Sequence, residues 1–326
     1  MSFDSLLPLI KKTASPLSPA AFHQQVNVIF HDIEARYYDD LHSQMWDSLQ
    51  EQLNLLAHDV KKHIRSSGLR LLDIGCGTGL STELLLKSPI GKMIGHVTLA
   101  DTSSNMLKHA SQRAIAWERP FKTYNGDISG LSDNFDVIIV CSVLHHIPDL
   151  GNFLKAINSL QSAGGILIHL QDPNGDAMND TEYLNRSVQY QQERNQHIGL
   201  STKIKNLIPL SFKGKIKRLL GKKDYLDEVN ERLLEQKIIS RRMSPEEIWS
   251  VTDIHVNNLP FSIGLGISLR QMPSWLNNYS LLASRSYGFF GLLKSELPPH
   301  YSAVEQKLID EANMSGRYIS AAWIKR

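Results

Sequence analysis

Two adjacent histidines, His145 and His146, are the side chains in this sequence best suited to acid–base chemistry. They follow an apolar run that ends at Cys141. An imidazole titrates near neutral pH, so it can take a proton from a hydroxyl or an amine, or it can bind a substrate directly. Asp172, after a later apolar run, could orient one of the rings. These three residues form the candidate catalytic set, with the alternative that one histidine only caps a helix or bonds a backbone carbonyl.

A glycine-rich turn marks a place where a ligand could bind. The apolar residues 69–74 predict a buried parallel strand, and a helical pattern follows the turn. Glycines allow positive φ and close approach of the backbone to a ligand, and this order of elements is typical of nucleotide-binding α/β folds. A dinucleotide site would need its third glycine at position 80, where the sequence has Leu80. The motif found instead consists of Asp73, Gly75, Cys76, Gly77 and Gly79.

Two acids follow the next two predicted strands. The second strand, residues 93–100, ends at Asp101, whose carboxylate can accept hydrogen bonds from both hydroxyls of a ribose. The third strand, residues 121–125, is followed by Asp127, which can accept the exocyclic amine of adenine while Ile128 packs on the ring. An exposed loop aspartate is the alternative for Asp127. The pattern therefore favours an adenosyl ligand at this edge of the sheet.

Together these motifs resemble the class I S-adenosylmethionine (SAM)-dependent methyltransferases, in the ubiquinone-biosynthesis-like branch (methyltransferase type 11/12-like domain) that acts on small molecules. The resemblance covers residues 69–173. It implies SAM as cofactor and methyl transfer to the oxygen, nitrogen or carbon atom of a small, partly apolar metabolite. The residues that it places at the cofactor are Tyr38, Asp73, Gly75, Cys76, Gly77, Gly79, Asp101, Thr102, Met106, Asp127, Ile128, Cys141 and Ser142.

The predicted fold is α/β, with a Rossmann-like, seven-stranded, mostly parallel sheet and helices on both faces. The resemblance implies that the last strand is antiparallel and that a helical cap is inserted after strand 5. Prolines and serines before residue 20 indicate a loose arm. The predicted domains are an N-terminal helical arm or lid (1–65), the SAM-binding core (66–173), the substrate cap (174–266) and the C-terminal part of the core (267–326).

Composition narrows the choice of partners. The 326 residues carry a net charge of only +2, and residues 142–145 lack the Asn/Asp-Pro-Pro-aromatic turn of nucleic-acid amine methyltransferases, so nucleic acid is not the expected substrate. The stretch 203–223 contains eight lysines and arginines and no acid. It is either a solvated face or a contact for an anionic partner such as an acyl-carrier protein, a phosphorylated substrate or a membrane surface.

The remaining expectations concern metals, location and alternatives. The two cysteines form no Cys-x-x-Cys pair, so no metal site is predicted. The sequence shows neither a signal peptide nor an apolar run long enough to span a membrane, which predicts a cytoplasmic protein. The oligomeric state stays open.

The alternatives to methyl transfer onto a free metabolite are a carrier-bound or anionic substrate, and a binding or cyclising protein of the same fold.

Overall fold

The computed structural model describes residues 3–41, 45–197 and 224–326, and a seven-stranded sheet lies at its centre. The strand order is β3-β2-β1-β4-β5-β7-β6, and β7 is antiparallel to both of its neighbours. The predicted Rossmann-like sheet with an antiparallel last strand is therefore confirmed. The strands are β1 (Leu69–Ile74), β2 (Ile94–Asp101), β3 (Phe121–Asn125), β4 (Phe135–Cys141), β5 (Gln161–Pro173), β6 (Tyr279–Tyr287) and β7 (Tyr318–Lys325).

Helices cover both faces of this sheet, as the buried central strands require. The helices are α1 (Leu7–Thr13), α2 (Pro19–Glu34), α3 (Tyr38–Leu41), α4 (Met45–Lys61), α5 (Leu80–Leu86), α6 (Ser104–Ala114), α7 (Leu150–Leu160), α8 (Thr181–His197), α9 (Tyr225–Glu235), α10 (Pro245–Thr252) and α11 (Pro299–Asp310). Alternate residues of β1 explain this arrangement. Leu71 packs with α4, α5 and α6 on one face, and Leu72 packs with α7 on the other. A strand that buries both faces has the continuous apolar sequence seen here.

The N-terminal residues differ from the predicted loose arm, because they form α1. Pro8 lies in the first turn of this helix, where a missing backbone N–H costs nothing. Leu6 and Leu9 are completely buried against α2 and the helices α9 and α10. Pro8 and Pro19 therefore begin helices instead of marking a loop, and the apolar residues of α1 anchor the segment.

Helices α9 and α10 lie in the segment predicted as the cap, and they pack on α2 in an apolar cluster separate from those of the sheet. A capping box begins α10, where Ser244 and Glu247 each accept the other's backbone N–H. The basic stretch 203–223 lies outside the described residues. Among the described helices, none combines the length and the apolar character needed to cross a bilayer.

A buried carboxylate fixes the turn between β1 and α5. Asp73 is fully buried at the end of β1, and one of its oxygens accepts hydrogen bonds from the hydroxyls of Ser81 and Thr82, each at 2.6 Å. Burial raises the pKa of Asp73 to about 6, and the two hydroxyl hydrogen bonds oppose that rise. The first turn of α5 is therefore tied to the strand behind it.

We expect Asp73→Ala to destabilise the protein by about 2 to 5 kcal/mol, because two buried hydroxyls lose their acceptor. Urea unfolding monitored by circular dichroism measures this loss. Asp73→Asn is the matched control, since its amide oxygen still accepts a hydrogen bond, and it should cost less. Equal losses for the two variants would mean that the hydroxyl hydrogen bonds do not stabilise the turn.

The raised pKa of Asp73 also predicts a pH dependence. The native carboxyl group holds its proton up to about pH 6, whereas the unfolded chain releases it near its ordinary pKa of 3.8. Stability from this group is therefore present at low pH and falls as the pH rises through that window. In Asp73→Asn this part of the decline should disappear from unfolding curves measured across the same window.

Candidate active site

One large cavity of about 1300 Å³ opens at the carboxyl ends of β1, β2 and β4. Helix α2 and the end of α10 form its opposite wall. Ligands of open α/β sheets bind at this edge, because the chain reverses direction there and leaves a crevice. Most of the predicted site residues line this cavity: Tyr38, Gly75, Gly77, Asp101, Thr102, Met106, Asp127, Ile128, Cys141, Ser142, His145 and His146.

The glycine turn needs glycine for two different reasons. Gly75, Gly77 and Gly79 have φ values of 64°, 53° and 83°, which side chains rarely adopt. A Cβ on Gly75 would lie 2.5 Å from Cγ2 of Val143, so packing excludes it. A Cβ on Gly77 would meet no protein atom within 4 Å and would occupy the cavity instead. Gly77 therefore leaves room for a ligand.

Asp101 holds the turn to the end of β2. One carboxylate oxygen accepts the backbone N–H of Gly77 at 2.9 Å, and the other accepts that of Ser103 at 2.8 Å. Burial raises the pKa of Asp101, and these backbone hydrogen bonds lower it. Each oxygen has a second lone pair that a ligand hydroxyl can use.

Beyond Asp101, an apolar wall faces the cavity. Met106 and Ile128 are both buried and both line it. Thr102 and Asp127 lie on its rim, where Asp127 accepts the backbone N–H of Ser129 at 2.8 Å. A flat apolar ligand group could lie between these side chains, with polar contacts at its edge.

The N-terminal helices close another side of the cavity. Asp32 on α2 accepts the Ser103 hydroxyl and the backbone N–H of Asn105. Asp39 on α3 accepts the Thr78 hydroxyl at 2.7 Å. These contacts join the N-terminal helices to the starts of α5 and α6. They position Tyr38, whose pKa is raised by burial, in the cavity wall.

Asp172 lies behind His145 and contacts its ring. Nδ1 of His145 lies 2.8 Å from Oδ1 of Asp172, which also accepts the backbone N–H of His145 at 3.1 Å. Asp172 itself is fully buried behind the ring. Burial alone lowers the pKa of His145, but the hydrogen bond and charge of Asp172 outweigh burial, so the net shift is upward.

The neighbouring ring, that of His146, has a lowered pKa, in contrast to His145. Nδ1 of His146 lies 2.7 Å from the carbonyl oxygen of Thr252, which can only accept a hydrogen bond. The pKa of His146 is well below its ordinary value because of burial first and the charge of His145 second. The two rings lie 3.9 Å apart between centroids. At neutral pH the ring of His145 is therefore the better proton acceptor of the two.

Several residues at this end of the cavity were not found from the sequence. Asp253 has an oxygen 3.3 Å from Nδ1 of His146 and 3.8 Å from Nε2 of His145. The ring of His31 lies 5.1 Å from that of His146, and its Nδ1 is 3.2 Å from Glu34. For Asp253 the available signal was the capped helix α10, which ends one residue before it, and for His31 it was the predicted N-terminal helical arm or lid.

Four of the predicted residues lie outside the cavity wall. Asp73 and Asp172 are buried behind it, where they hold α5 and His145. The Cys76 side chain points into the apolar cluster beneath the sheet. Gly79 precedes α5, and a Cβ added to it would lie 3.3 Å from Ala110 of α6. These positions support the site from behind.

Comparisons with known proteins agree on the core. Residues 72–167 match the family model of the methyltransferase domain. A 105-residue segment is 33% identical to a ubiquinone biosynthesis O-methyltransferase of Caulobacter sp. (strain K31), over 31% of this chain and 40% of that protein. A 157-residue segment is 27% identical to the highly reducing polyketide synthase bet1 of Neocamarosporium betae, over 46% of this chain and 5% of that protein.

The chain thus spans less than half the length of these two curated relatives. A solved SAM-dependent methyltransferase from Mesorhizobium loti is 13% identical, with a TM-score of 0.42, over 86% of this chain and 98% of that one. The family match covers strands β2, β3 and β4 together with the glycine turn and Asp101. This chain therefore carries a class I SAM-dependent methyltransferase domain, with SAM as its cofactor.

Proposed function

We propose that this protein transfers the methyl group of SAM to a small, partly apolar metabolite. The observation that carries the proposal is that one cavity contains both Gly77 with Asp101 and the histidines His145 and His146. Its volume of about 1300 Å³ exceeds that of a typical single-ligand pocket, roughly 300–1,000 Å³. The cofactor and a small acceptor therefore have room side by side.

The residues present fit the cofactor. Gly77 exposes bare backbone to the cavity, and Asp101 retains lone pairs for ribose hydroxyls. Met106 and Ile128 form the apolar wall that an adenine ring requires. SAM supplies the electrophilic methyl group when bound, so the protein has only to orient the acceptor and manage its proton. We assign the remaining cofactor contacts to Tyr38, Thr102, Asp127, Cys141 and Ser142.

The wall next to α2 and α10 fits an acceptor of mixed polarity. Aromatic residues there offer apolar contact, and polar side chains lie between them. The aromatic set is Phe30, Tyr225 and Trp249, and the polar set is His23, Asn27 and Asn257. The Caulobacter relative is named an O-methyltransferase, which favours oxygen as the acceptor atom.

His145, His146 and Asp172 are the catalytic set that we propose. Nδ1 of His145 donates to the Asp172 carboxylate, and Nδ1 of His146 donates to the Thr252 carbonyl. In the neutral rings the lone pairs are therefore at Nε2. A lone pair at Nε2 of His145 can hold the acceptor or take its proton. The free thiols Cys76 and Cys141 fit the reducing cytoplasm, where we expect the protein to work.

Methyl transfer can be tested without knowing the acceptor. The protein is incubated with a metabolite extract and SAM that carries a CD₃ group, and small molecules are analysed by mass spectrometry. Compounds that gain CD₃ only with the active protein identify the acceptor. Binding of S-adenosylhomocysteine without any labelled product would instead favour a binding or cyclising protein of this fold, whereas a labelled acyl-carrier protein would favour a carrier-bound substrate.

Asp101→Ala should weaken binding of S-adenosylhomocysteine by about tenfold or more, because a buried acceptor of the ribose hydroxyls is lost. Isothermal titration calorimetry measures the affinity. Asp149→Asn is the control, since Asp149 lines the same cavity and asparagine can still cap α7. Its affinity should equal that of the wild type. An unchanged affinity in Asp101→Ala would remove the ribose assignment.

Gly77→Ala should separate ligand binding from stability. Its Cβ meets no protein atom, so the variant should lose only about 1 to 2 kcal/mol from its positive φ, yet bind S-adenosylhomocysteine about tenfold or more weakly. Gly164→Ala is the matched control, with a φ of 74°, an equally open Cβ position and no contact with the cavity. It should bind like the wild type. Equal binding by both variants would contradict the position of the cofactor.

A further inference from the structure

His145, His146 and Asp253 form a cluster of metal-ligating side chains at the acceptor end of the cavity. One ligand atom from each residue lies within 4.8 Å of those from the other two. Nε2 of His145 is 3.8 Å from a carboxylate oxygen of Asp253. Two ligands of one tetrahedral zinc ion stand about 3.4 Å apart, given metal–ligand bonds of about 2.1 Å. From this cluster we propose a binding site for one divalent transition-metal ion.

The surroundings of the two rings support metal binding. In metal sites a histidine usually donates its second ring N–H to a carboxylate or a backbone carbonyl, which directs the other nitrogen at the metal. Nδ1 of His145 has the carboxylate of Asp172 at 2.8 Å, and Nδ1 of His146 has the carbonyl of Thr252 at 2.7 Å. Nε2 of His145 is thus available as a ligand. His146 offers either Nε2 or, if the ion displaces the Thr252 carbonyl, Nδ1, which lies 3.3 Å from Asp253.

The ligand set indicates which ions bind. Two imidazoles and one carboxylate favour ions such as Zn²⁺, Mn²⁺, Fe²⁺ or Co²⁺, whereas Mg²⁺ prefers a set of oxygen ligands. All three residues line the cavity, so further coordination positions face the space for the acceptor. This role in acceptor binding rests on the proposed function: the bound ion would hold and polarise an acceptor oxygen, and Nε2 of His145 would then be a ligand of the ion instead of the proton acceptor. Binding of the ion itself does not depend on it.

The cluster joins two separately packed parts of the protein. The histidines follow β4, whereas Asp253 follows α10, which packs on α2. Without an ion, Asp253 is a carboxylate that lies 3.3 Å from His146 and 3.8 Å from His145. Direct metal binding distinguishes these two arrangements, and it requires neither SAM nor an acceptor.

The test uses the full chain, free of any histidine tag and stripped with a chelator. Co²⁺ is titrated in while its visible d–d absorption is recorded, and Zn²⁺ competition then gives the relative affinity. We expect one equivalent of Co²⁺ per chain. Asp253→Asn and His146→Ala should each weaken binding about tenfold or more, and Asp172→Asn should weaken it by about 10 to 100-fold through the orientation of His145.

Two matched controls keep the cluster intact. His96→Ala removes an exposed imidazole of β2 that does not line the cavity, and Asp149→Asn removes another carboxylate of the same cavity. Both should bind Co²⁺ like the wild type. Because Asp253 is partly exposed and lies outside the sheet, Asp253→Asn should fold normally and bind S-adenosylhomocysteine with unchanged affinity, which calorimetry checks.

Three results would overturn the proposal: no binding at millimolar Co²⁺, equal binding by all variants, or binding without the ligand-field spectrum of nitrogen ligands. Failure of the wild type to bind S-adenosylhomocysteine would instead refute the proposed function. The two failures are therefore distinguishable in one set of protein samples.

Discussion

The backbone hydrogen bond from Gly77 to Asp101 is the contact on which the rest of the site depends. It ties the turn after β1 to the end of β2 at 2.9 Å, so that one carboxylate both shapes the turn and faces the cavity. The turn is also held from behind, because Asp73 binds the two hydroxyls at the start of α5. A flat ligand can lie against this turn because both ends of it are fixed before the ligand arrives.

This part of the site was predictable from the sequence, because its contacts either join neighbours along the chain or follow from the order of the strands. The buried pattern of β1 and the glycines predict a strand and a turn, and parallel strands place Asp101 and Asp127 at the same edge as Gly77. The pairing of His145 with Asp172 follows from the same rule, since β4 and β5 are neighbours. Each of these residues lies at or just beyond the end of a strand, so the order of the strands determines which side chains meet.

The other half of the site follows no such rule. Asp253, His31 and Glu34 reach the cavity from α10 and α2, and a long stretch of chain separates α10 from the strands that it faces. Their positions depend on how Leu6, Leu9 and Val26 pack against α9 and α10. The loose arm predicted for the N-terminus was wrong for the same reason. Its apolar residues pack on α2 and, more than two hundred positions away, on α9 and α10, and the local pattern of prolines and serines indicates neither contact.

This division suggests how one scaffold could keep its cofactor while its acceptor changes. The cofactor half is built by β1, β2 and β4, within the segment that matches the methyltransferase family. The acceptor half is built largely by α2 and α10, which contact each other through a separate apolar cluster. A substitution in that cluster could move Asp253 and His31 without moving Gly77 or Asp101. The two halves meet at His145 and His146, whose Nδ1 atoms are held by Asp172 from the sheet and by Thr252 from α10. The orientation of the adjacent histidines therefore depends on both halves. Any shift of α10 relative to β4 would change the geometry offered to the acceptor.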